Sequence, residues 1–217
     1  MAGEYEDIGY RWVSCPSVDV DAVKSEFREE AESYDRQLGD WDYRTPKDSL
    51  ALMERYVAKS ANILEAGCGT GLPGVLQYQA GYTKLCGCDL SDEMLAIARS
   101  KGVYSRLVQA DLQQALPFDD DEFDAVTCLA TLTYIEDPEL TLREFCRVTR
   151  AGGIVLLSHR QDLFENRRCD ALLDGLERAG LWEREHHSSW KLYIPGHPAY
   201  REQVRVGYFV YRVATKR

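Results

Sequence analysis

Apolar residues recur along this chain in two alternating patterns. Charged and apolar residues alternate at helical spacing over residues 21–38, and more clearly over residues 46–59, so two helices are predicted there. From residue 61 onward, short apolar runs alternate with amphipathic segments, which predicts strands separated by helices. The predicted strands are centred near Ile63, Leu85, Leu107, Val126 and Val155. The predicted helices of this part are centred near Leu76, Leu95, Leu142 and Leu173.

The last third of the chain has a different pattern. A fifth strand over residues 153–158 is followed by a helix that ends at Gly180. Two runs rich in aromatic and β-branched residues come next, at residues 181–194 and 204–214. We expect these two runs to form an antiparallel hairpin.

A glycine-rich segment follows the first predicted strand. Residues 62–72 begin as a buried strand, continue into a loop that contains Gly67, Gly69 and Gly71, and open a helix. Glycines lack a Cβ, so this backbone can turn sharply and approach a bound molecule, while the helix presents unpaired N–H groups. The segment therefore predicts a loop that binds an adenosine-bearing ligand.

Acidic residues end three of the predicted strands, at Glu65, Asp89 and Asp111. The carboxyl ends of parallel strands form the ligand-binding edge of such a sheet, where Asp89 can accept both hydroxyls of a ribose. Asp111 is placed to accept a hydrogen bond from an adenine amino group. Residues 69–74 also match the G-x-G-x-x-G pattern of nicotinamide and flavin enzymes. Glu65 favours a sulfonium ligand instead, since a carboxylate attracts its ammonium and sulfur cations and repels a pyrophosphate.

Several segments carry a resemblance to a known family. Residues 64–71, Leu-Glu-Ala-Gly-Cys-Gly-Thr-Gly, match the first motif of class I S-adenosylmethionine-dependent methyltransferases. Residues 118–126 resemble that family's fourth-strand motif. Residues 144–153 resemble its segment before the fifth strand, with Ala151 in place of the usual proline. A narrower likeness, through short pieces such as residues 43–46, is to the methyltransferase-like proteins of the Williams-Beuren syndrome chromosome region.

The resemblance implies an α/β, Rossmann-like class I methyltransferase fold. Its sheet is expected to be mostly parallel and seven-stranded, with a C-terminal antiparallel hairpin and N-terminal cover helices. The implied cofactor is S-adenosyl-L-methionine, and its product is S-adenosyl-L-homocysteine. The residues expected around the cofactor are Tyr34, Arg44, Glu65, Gly67, Gly69, Gly71, Asp89, Leu90, Met94, Asp111, Leu112 and Leu129.

Arg44 and Tyr34 enter this set because some methyltransferases use an N-terminal arginine and tyrosine to hold the cofactor. The Arg44 guanidinium could clamp the cofactor's carboxylate with two hydrogen bonds. For both residues, surface ion pairing or core packing is the competing interpretation.

Methyl transfer is an in-line displacement that depends on holding donor and acceptor in line, so a catalytic base is optional. Tyr134 and His159, which follow the fourth and fifth strands, are candidates for contact with the acceptor. Their competing interpretations are packing of a loop aromatic and a structural histidine. Aromatic residues are expected to enclose a partly apolar pocket for a small organic acceptor. They are Trp41, Tyr43, Tyr134, Trp190 and Tyr193.

Composition bounds the remaining possibilities. With 217 residues and 45% hydrophobic content, we expect one methyltransferase domain, with cap helices in residues 1–60 and the α/β core in residues 61–217. A formal net charge of -10 disfavours nucleic acid as a partner. The N-terminal residues lack a signal-peptide pattern and no long apolar run occurs, so a cytoplasmic protein without membrane association is expected. Seven cysteines without C-x-x-C pairs predict free thiols and no metal site.

The sequence favours a small-molecule methyltransferase and leaves three alternatives open. A non-catalytic S-adenosylmethionine-binding regulatory protein is compatible with the lack of an unmistakable base. A protein methyltransferase is compatible with the acidic composition. A nicotinamide-dependent oxidoreductase is compatible with the glycines, although Glu65 and Asp111 argue against it.

Overall fold

A sheet covered by helices on both faces forms the body of the protein in the computed structural model, which describes residue 13 and residues 16–215. The strands are β1 (Asn62–Ala66), β2 (Lys84–Asp89), β3 (Arg106–Gln109), β4 (Phe123–Cys128), β5 (Thr149–Arg160), β6 (Trp182–His187), β7 (Lys191–Leu192) and β8 (Arg205–Val213). The helices are α1 (Val20–Asp40), α2 (Thr45–Tyr56), α3 (Leu72–Gln79), α4 (Asp92–Ser100), α5 (Pro138–Val148), α6 (Gln161–Asn166) and α7 (Cys169–Arg178). A short 3-10 turn covers Leu132–Tyr134.

The sheet has the order β3-β2-β1-β4-β5-β8-β6, and β7 pairs with β8. Strands β1 to β5 run parallel, whereas β8 is antiparallel to β5, β6 and β7. The predicted Rossmann-like fold, with a mostly parallel sheet and a C-terminal antiparallel hairpin, is confirmed. The direction of winding reverses between β1 and β4, and ligands of such folds bind beyond the strand ends at this point.

Some details differ from the prediction. The described residues form eight strands instead of seven, because the predicted run over residues 181–194 is divided into β6 and the two-residue β7. Helix α6, which was not predicted, lies between β5 and α7, and its six residues are too few for a clear periodic pattern. Strand β5 begins earlier than expected, at Thr149, and its register with β4 is irregular where Ala151 stands.

Alternate residues of the central strands pack on opposite faces of the sheet. On one face, Leu64 and Val126 lie in a core with Phe145 of α5. On the other face, Ile63 lies in a second core with Met53 of α2. Both faces are therefore buried, as is usual for parallel strands.

Helix α1 is fixed at both ends. Asp19 caps its first turn, where the side chain accepts a hydrogen bond from the Ala22 N–H at 2.8 Å. Beyond its last turn, the Trp41 carbonyl accepts a hydrogen bond from the Gly196 N–H at 2.8 Å. A Cβ on Gly196 would lie 2.8 Å from the Asp40 carbonyl oxygen, so a glycine is needed for this close approach. The contacts of Gly196 with Asp40 and Trp41 join the end of α1 to the chain segment between β7 and β8.

The ring of Tyr104 packs closely against Gly71, Gly74 and Gly87. A Cβ on Gly71 would lie 2.8 Å from this ring, and one on Gly74 would lie 2.1 Å from the Tyr104 hydroxyl oxygen. That hydroxyl donates a hydrogen bond to Glu65 at 2.6 Å. The small residues of α3 and its loop therefore let Tyr104 reach the carboxylate at the end of β1.

Replacing Gly74 with alanine should destabilise the protein by about 1–3 kcal/mol, because the new methyl group overlaps the Tyr104 hydroxyl and must displace it from Glu65. Gly175 is a matched control, since it also lies in a helix, and its added Cβ would meet no atom within 4 Å. Gly175→Ala should stabilise the protein by about 0.5–1 kcal/mol. Urea denaturation of both variants measures these changes in the free energy of unfolding. A Gly74→Ala variant that is as stable as Gly175→Ala, or more stable, would contradict the packing argument.

Candidate active site

The loop after β1 turns back on the sheet through glycines in left-handed conformations. Gly67, Gly69 and Gly71 have φ angles of 74°, 53° and 83°. The N–H groups of Gly67 and Cys68 both donate to the Cys88 carbonyl, at 2.8 and 2.9 Å. A Cβ on Gly67 would lie 2.3 Å from the Thr131 Oγ1, whereas one on Gly69 would meet no atom within 4 Å. The loop is thus packed tightly against the chain after β4 at Gly67 and is open at Gly69.

Asp89, at the end of β2, binds the loop directly. One carboxylate oxygen accepts a hydrogen bond from the Gly69 N–H at 2.8 Å, and the other accepts one from the Ser91 N–H at 3.0 Å. Burial raises the pKa of Asp89, and the backbone hydrogen bonds partly offset this effect. An ionised carboxylate has about four acceptor positions, so this one keeps capacity for further donors.

Asp111 and Leu112 follow β3 at the same edge of the sheet. The Asp111 carboxylate accepts a hydrogen bond from the Gln113 N–H at 2.9 Å, which shapes the turn. The Leu112 carbonyl accepts one from the Thr141 hydroxyl at 2.8 Å, so α5 supports the turn from behind.

These features line one cavity that encloses about 1020 Å³ of empty space, part of it continuous with solvent. The loop and the strand ends form one wall, and α1 forms much of the other. Nine of the residues predicted to surround the cofactor lie on its walls: Tyr34, Gly67, Gly69, Asp89, Leu90, Met94, Asp111, Leu112 and Leu129.

Five aromatic residues form the remaining wall: Phe27, Tyr34, Tyr43, Tyr134 and Tyr193. Phe27 meets Tyr134 edge to face with ring centroids 5.2 Å apart, and Tyr43 meets Tyr193 in the same manner at 5.3 Å. Burial raises the pKa of Tyr193 to about 12 and raises the pKa of the other three tyrosines well above the usual value. All four phenols are therefore neutral near pH 7. Tyr134, the predicted catalytic candidate, lies here, but its raised pKa keeps the phenol protonated at neutral pH, so almost no phenolate is present to act as a base.

Glu65 is directed away from the cavity, which differs from the prediction. Its carboxylate is 1% exposed and accepts the hydrogen bond from Tyr104. Burial raises the pKa of Glu65 to about 8, although the Tyr104 hydrogen bond and the Lys101 charge lower it in part. The expected attraction between Glu65 and a ligand cation stays a prediction, because the carboxylate is buried against Tyr104 and Glu65 is not among the residues that line the cavity.

Three further predicted residues lie outside the cavity walls. The Arg44 side chain is 56% exposed and its guanidinium pairs with Asp42 at 2.7 Å, so the structure supports the ion-pair interpretation instead of a cofactor clamp. Gly71 faces the Tyr104 ring. His159 packs under the sheet beside Phe164, where burial lowers its pKa to about 4. A side chain in that position cannot reach an acceptor in the cavity.

The two predicted pocket tryptophans also lie elsewhere. Trp41 packs on His197, with ring centroids 4.5 Å apart. Trp190 packs against Gly207, where an added Cβ would lie 2.6 Å from its ring.

The sequence interpretation missed one face of α1. Val20, Val23, Phe27 and Leu38 line the cavity together with Tyr34. Successive residues of this set are three, four or seven positions apart, a spacing that places them on one side of a helix. The periodicity that predicted the helix therefore also contained the signal for its cavity-facing residues.

A polar contact holds α1 over the loop. The Thr70 hydroxyl donates to one oxygen of Asp35 at 2.5 Å, and the Lys101 ammonium lies 2.5 Å from the other oxygen. Asp35 thus connects α1 to the loop and to the residue that follows α4.

Comparisons with known proteins agree with this geometry. Residues 64–157 match the model of a methyltransferase domain. Human methyltransferase-like protein 27 is 34% identical over 160 residues, which cover 70% of this chain and 65% of that protein. Residues 64–157 form a class I S-adenosylmethionine-dependent methyltransferase domain. The predicted family resemblance is confirmed, and the family implies S-adenosylmethionine as the cofactor and not a nicotinamide.

Other members of the family extend the comparison. Malonyl-[acyl-carrier protein] O-methyltransferase of Hamiltonella defensa is 33% identical over 142 residues, which cover 65% of this chain and 53% of that protein. A methyltransferase of Haloferax volcanii, solved in a complex with the Trm112 methyltransferase activator, superposes with a TM-score of 0.67. That match covers 88% of this chain and 98% of the other at 19% identity, so it shows the fold alone. This chain spans between 53% and 65% of the length of the two curated relatives.

Two features are absent from the described residues. In the part of the chain that the structure describes, no group of three or more His, Cys, Asp or Glu side chains is arranged to hold a metal ion. No helix within residues 16–215 combines the length and the apolar character that crossing a membrane requires.

The buried Glu65 predicts a pH dependence of stability. Because its folded pKa of about 8 exceeds the unfolded value of about 4.3, the folded state binds the extra proton between these values, and the free energy of unfolding should fall as pH rises from about 5 to 8. Glu65→Gln removes this titration, so its unfolding free energy should change less over that range.

Denaturant titrations at several pH values test this expectation. Glu136→Gln, at an exposed position, is the control and should keep the slope of the unmodified protein. An unchanged slope in Glu65→Gln would show that Glu65 does not titrate in this range.

Proposed function

We propose that the protein binds S-adenosylmethionine in this cavity and transfers the methyl group to a small molecule. The observation that carries the proposal is that the glycine loop and the carboxylates of Asp89 and Asp111, from neighbouring strands, line the same cavity. This is the arrangement that an adenosine needs, with acceptors for its hydroxyl and amino groups and an open backbone beside it.

The residues present fit this cofactor. Gly69 has no atom within 4 Å of where its Cβ would be, so a ligand can lie against its backbone. Asp89 keeps acceptor capacity for the ribose hydroxyls, and Asp111 can accept from the adenine amino group. Leu90, Met94 and Leu112 supply apolar surface for the base.

The methyl acceptor binds against the aromatic wall of the cavity. When bound, S-adenosylmethionine supplies an electrophilic methyl group on a positively charged sulfur. The wall excludes water from this group, and its neutral phenols can orient an acceptor by hydrogen bonds while the nucleophile attacks in line. No phenolate base is involved, since the tyrosine pKa values are raised.

A small acceptor fits this enclosure better than a polymer. Helix α1 closes the cavity from one side through Phe27 and Tyr34, and the contact of Asp35 with Thr70 holds the helix in place. A protein tail would need an open groove, and α1 lies over the cavity where such a groove would have to be. This argument supports a small molecule over a protein substrate.

Calorimetry with S-adenosylmethionine and S-adenosylhomocysteine tests the cofactor. Asp89→Ala should weaken both affinities at least about ten-fold, because it removes charge-assisted hydrogen bonds to the ribose and the anchor of Gly69. Asp174→Ala, which changes an exposed aspartate of α7, is the control and should bind like the unmodified protein. Failure of the unmodified protein to bind either compound at millimolar concentration would refute the proposal.

The Arg44→Ala variant distinguishes the surface ion pair with Asp42 from the cofactor clamp that the sequence suggested. Since the guanidinium pairs with Asp42 at the surface, this variant should keep cofactor affinity within about two-fold. A ten-fold loss in the same calorimetric titration would mean that Arg44 reaches the cofactor as the sequence suggested.

Transfer itself is measured with a methyl-labelled cofactor and fractions of a metabolite extract. The proposal expects label in a low-molecular-weight product. Label found only in protein would favour a protein substrate, and cofactor binding without any labelled product would favour a regulatory protein.

A further inference from the structure

Four tyrosines from separate parts of the chain converge on one region of the cavity. Tyr34 comes from α1, Tyr43 from the loop before α2, Tyr134 from the turn after β4, and Tyr193 from the segment after β7. The Tyr193 phenol lies close enough to the phenols of Tyr34, Tyr43 and Tyr134 to raise the pKa of each, and the rings of Tyr43 and Tyr193 meet with centroids 5.3 Å apart. Phe27 completes the group, 5.9 Å from the Tyr34 ring and 5.2 Å from the Tyr134 ring.

Acidic side chains lie near two of the four phenols. Besides burial, Asp89 and Glu30 raise the pKa of Tyr34 and Glu26 raises that of Tyr134, whereas Asp35 is paired with the Lys101 ammonium at 2.5 Å. The phenol oxygens and the ring faces add their own partial negative charge. The surroundings of Tyr34 and Tyr134 therefore favour a cation at that end of the cluster.

Positive charge near the cluster is limited. Lys24 is the only lysine or arginine among the residues described as lining the cavity. Arg160 acts on Tyr134 and Tyr193, but its side chain is 7% exposed and is held by both oxygens of Asp162 and by the Val13 carbonyl. Arg160 is the largest charged influence on Tyr193, but Asp162 offsets part of its charge and Arg160 does not line the cavity.

We propose that the phenol cluster of Tyr34, Tyr43, Tyr134 and Tyr193 binds the methyl acceptor and that this acceptor is a small amine. The proposal deepens the proposed function and rests on it. Cations bind the faces of aromatic rings, and ammonium N–H groups donate to phenol oxygens.

The charge balance of the reaction explains why such a cluster suits an amine. An acceptor that binds as an ammonium ion first releases one proton to water. The lone pair of the neutral amine then attacks the methyl carbon, a C–N bond forms, and the C–S bond breaks with its electron pair left on sulfur. The total charge stays at one positive unit, which moves from sulfur to nitrogen. A primary or secondary amine then releases one proton to water. Rings and phenol oxygens at the acceptor position stabilise the charge as it arrives there.

A carboxylate acceptor would require the opposite surroundings. Its negative charge disappears as the ester forms, and before the reaction it needs cationic or N–H donors to replace its hydration. The cavity offers phenol O–H donors, but Lys24 is the only lysine or arginine on its described walls, and acidic side chains lie near Tyr34 and Tyr134. The observations therefore favour nitrogen over a carboxylate oxygen.

A set of three probes with one carbon skeleton tests the inference on the full chain saturated with S-adenosylhomocysteine. They are choline, its uncharged carbon isostere 3,3-dimethylbutan-1-ol, and the anion 3,3-dimethylbutanoate, each titrated by NMR or calorimetry. Choline should bind at least about five-fold more tightly than the alcohol, and the carboxylate should bind most weakly. Equal binding of choline and the alcohol, or tightest binding of the carboxylate, would overturn the inference.

Variants locate the binding. Tyr193→Leu, which removes a ring, should reduce the preference for choline to less than about two-fold, and Tyr193→Phe should retain most of it with little risk to folding. Tyr78→Leu is the control, because Tyr78 is 45% exposed and lies outside the cavity lining. Loss of the preference in Tyr78→Leu, or full preference in Tyr193→Leu, would place the cation elsewhere.

The cofactor measurement separates the two proposals. If S-adenosylhomocysteine binds and choline shows no preference, the amine inference fails while the proposed function survives. Choline that binds only in the absence of S-adenosylhomocysteine occupies the sulfonium position, which also overturns the inference. If neither cofactor form binds, both proposals fall.

Discussion

The carboxylate of Asp89 holds the glycine loop against the second strand, because it accepts the hydrogen bond from the Gly69 N–H at 2.8 Å. The Cys88 carbonyl strengthens this connection by accepting from both Gly67 and Cys68. Left-handed backbone at the glycines lets all these bonds form at once. One wall of the cavity thus depends on a few hydrogen bonds between two strand ends, and the same carboxylate that orders the loop faces the space where a ribose would lie.

The cavity has two chemically distinct regions. Its polar region consists of backbone and carboxylates at the ends of the strands, whereas its aromatic region consists of side chains from α1 and from loops on the opposite side. Burial keeps the phenols neutral, so the aromatic region can donate and accept hydrogen bonds without carrying charge. This division matches a reaction in which one partner needs precise hydrogen bonding and the other needs shape and exclusion of water.

Much of this arrangement could be predicted from local patterns. The glycine loop and Asp89 follow strands whose apolar runs are clear, and the carboxyl ends of parallel strands meet at one edge whatever the loops do. The position of Glu65 could not be predicted, since the direction of its side chain depends on Tyr104, which lies 39 residues further along the chain. Arg44 presents the same difficulty, because Asp42 only two residues away offers an ion pair that needs no cofactor.

The pairing of Trp41 with Gly196 brings residues from distant parts of the chain to one wall of the cavity. The polar region is formed by residues 67–112 with Thr131 and Thr141 packed behind them, while the aromatic region also includes Tyr193. During synthesis on the ribosome, the residues of the adenosine side therefore all emerge before the acceptor side is complete. A chain whose translation stops before Tyr193 would have the parts to hold a nucleoside and would lack those that enclose its reactive end.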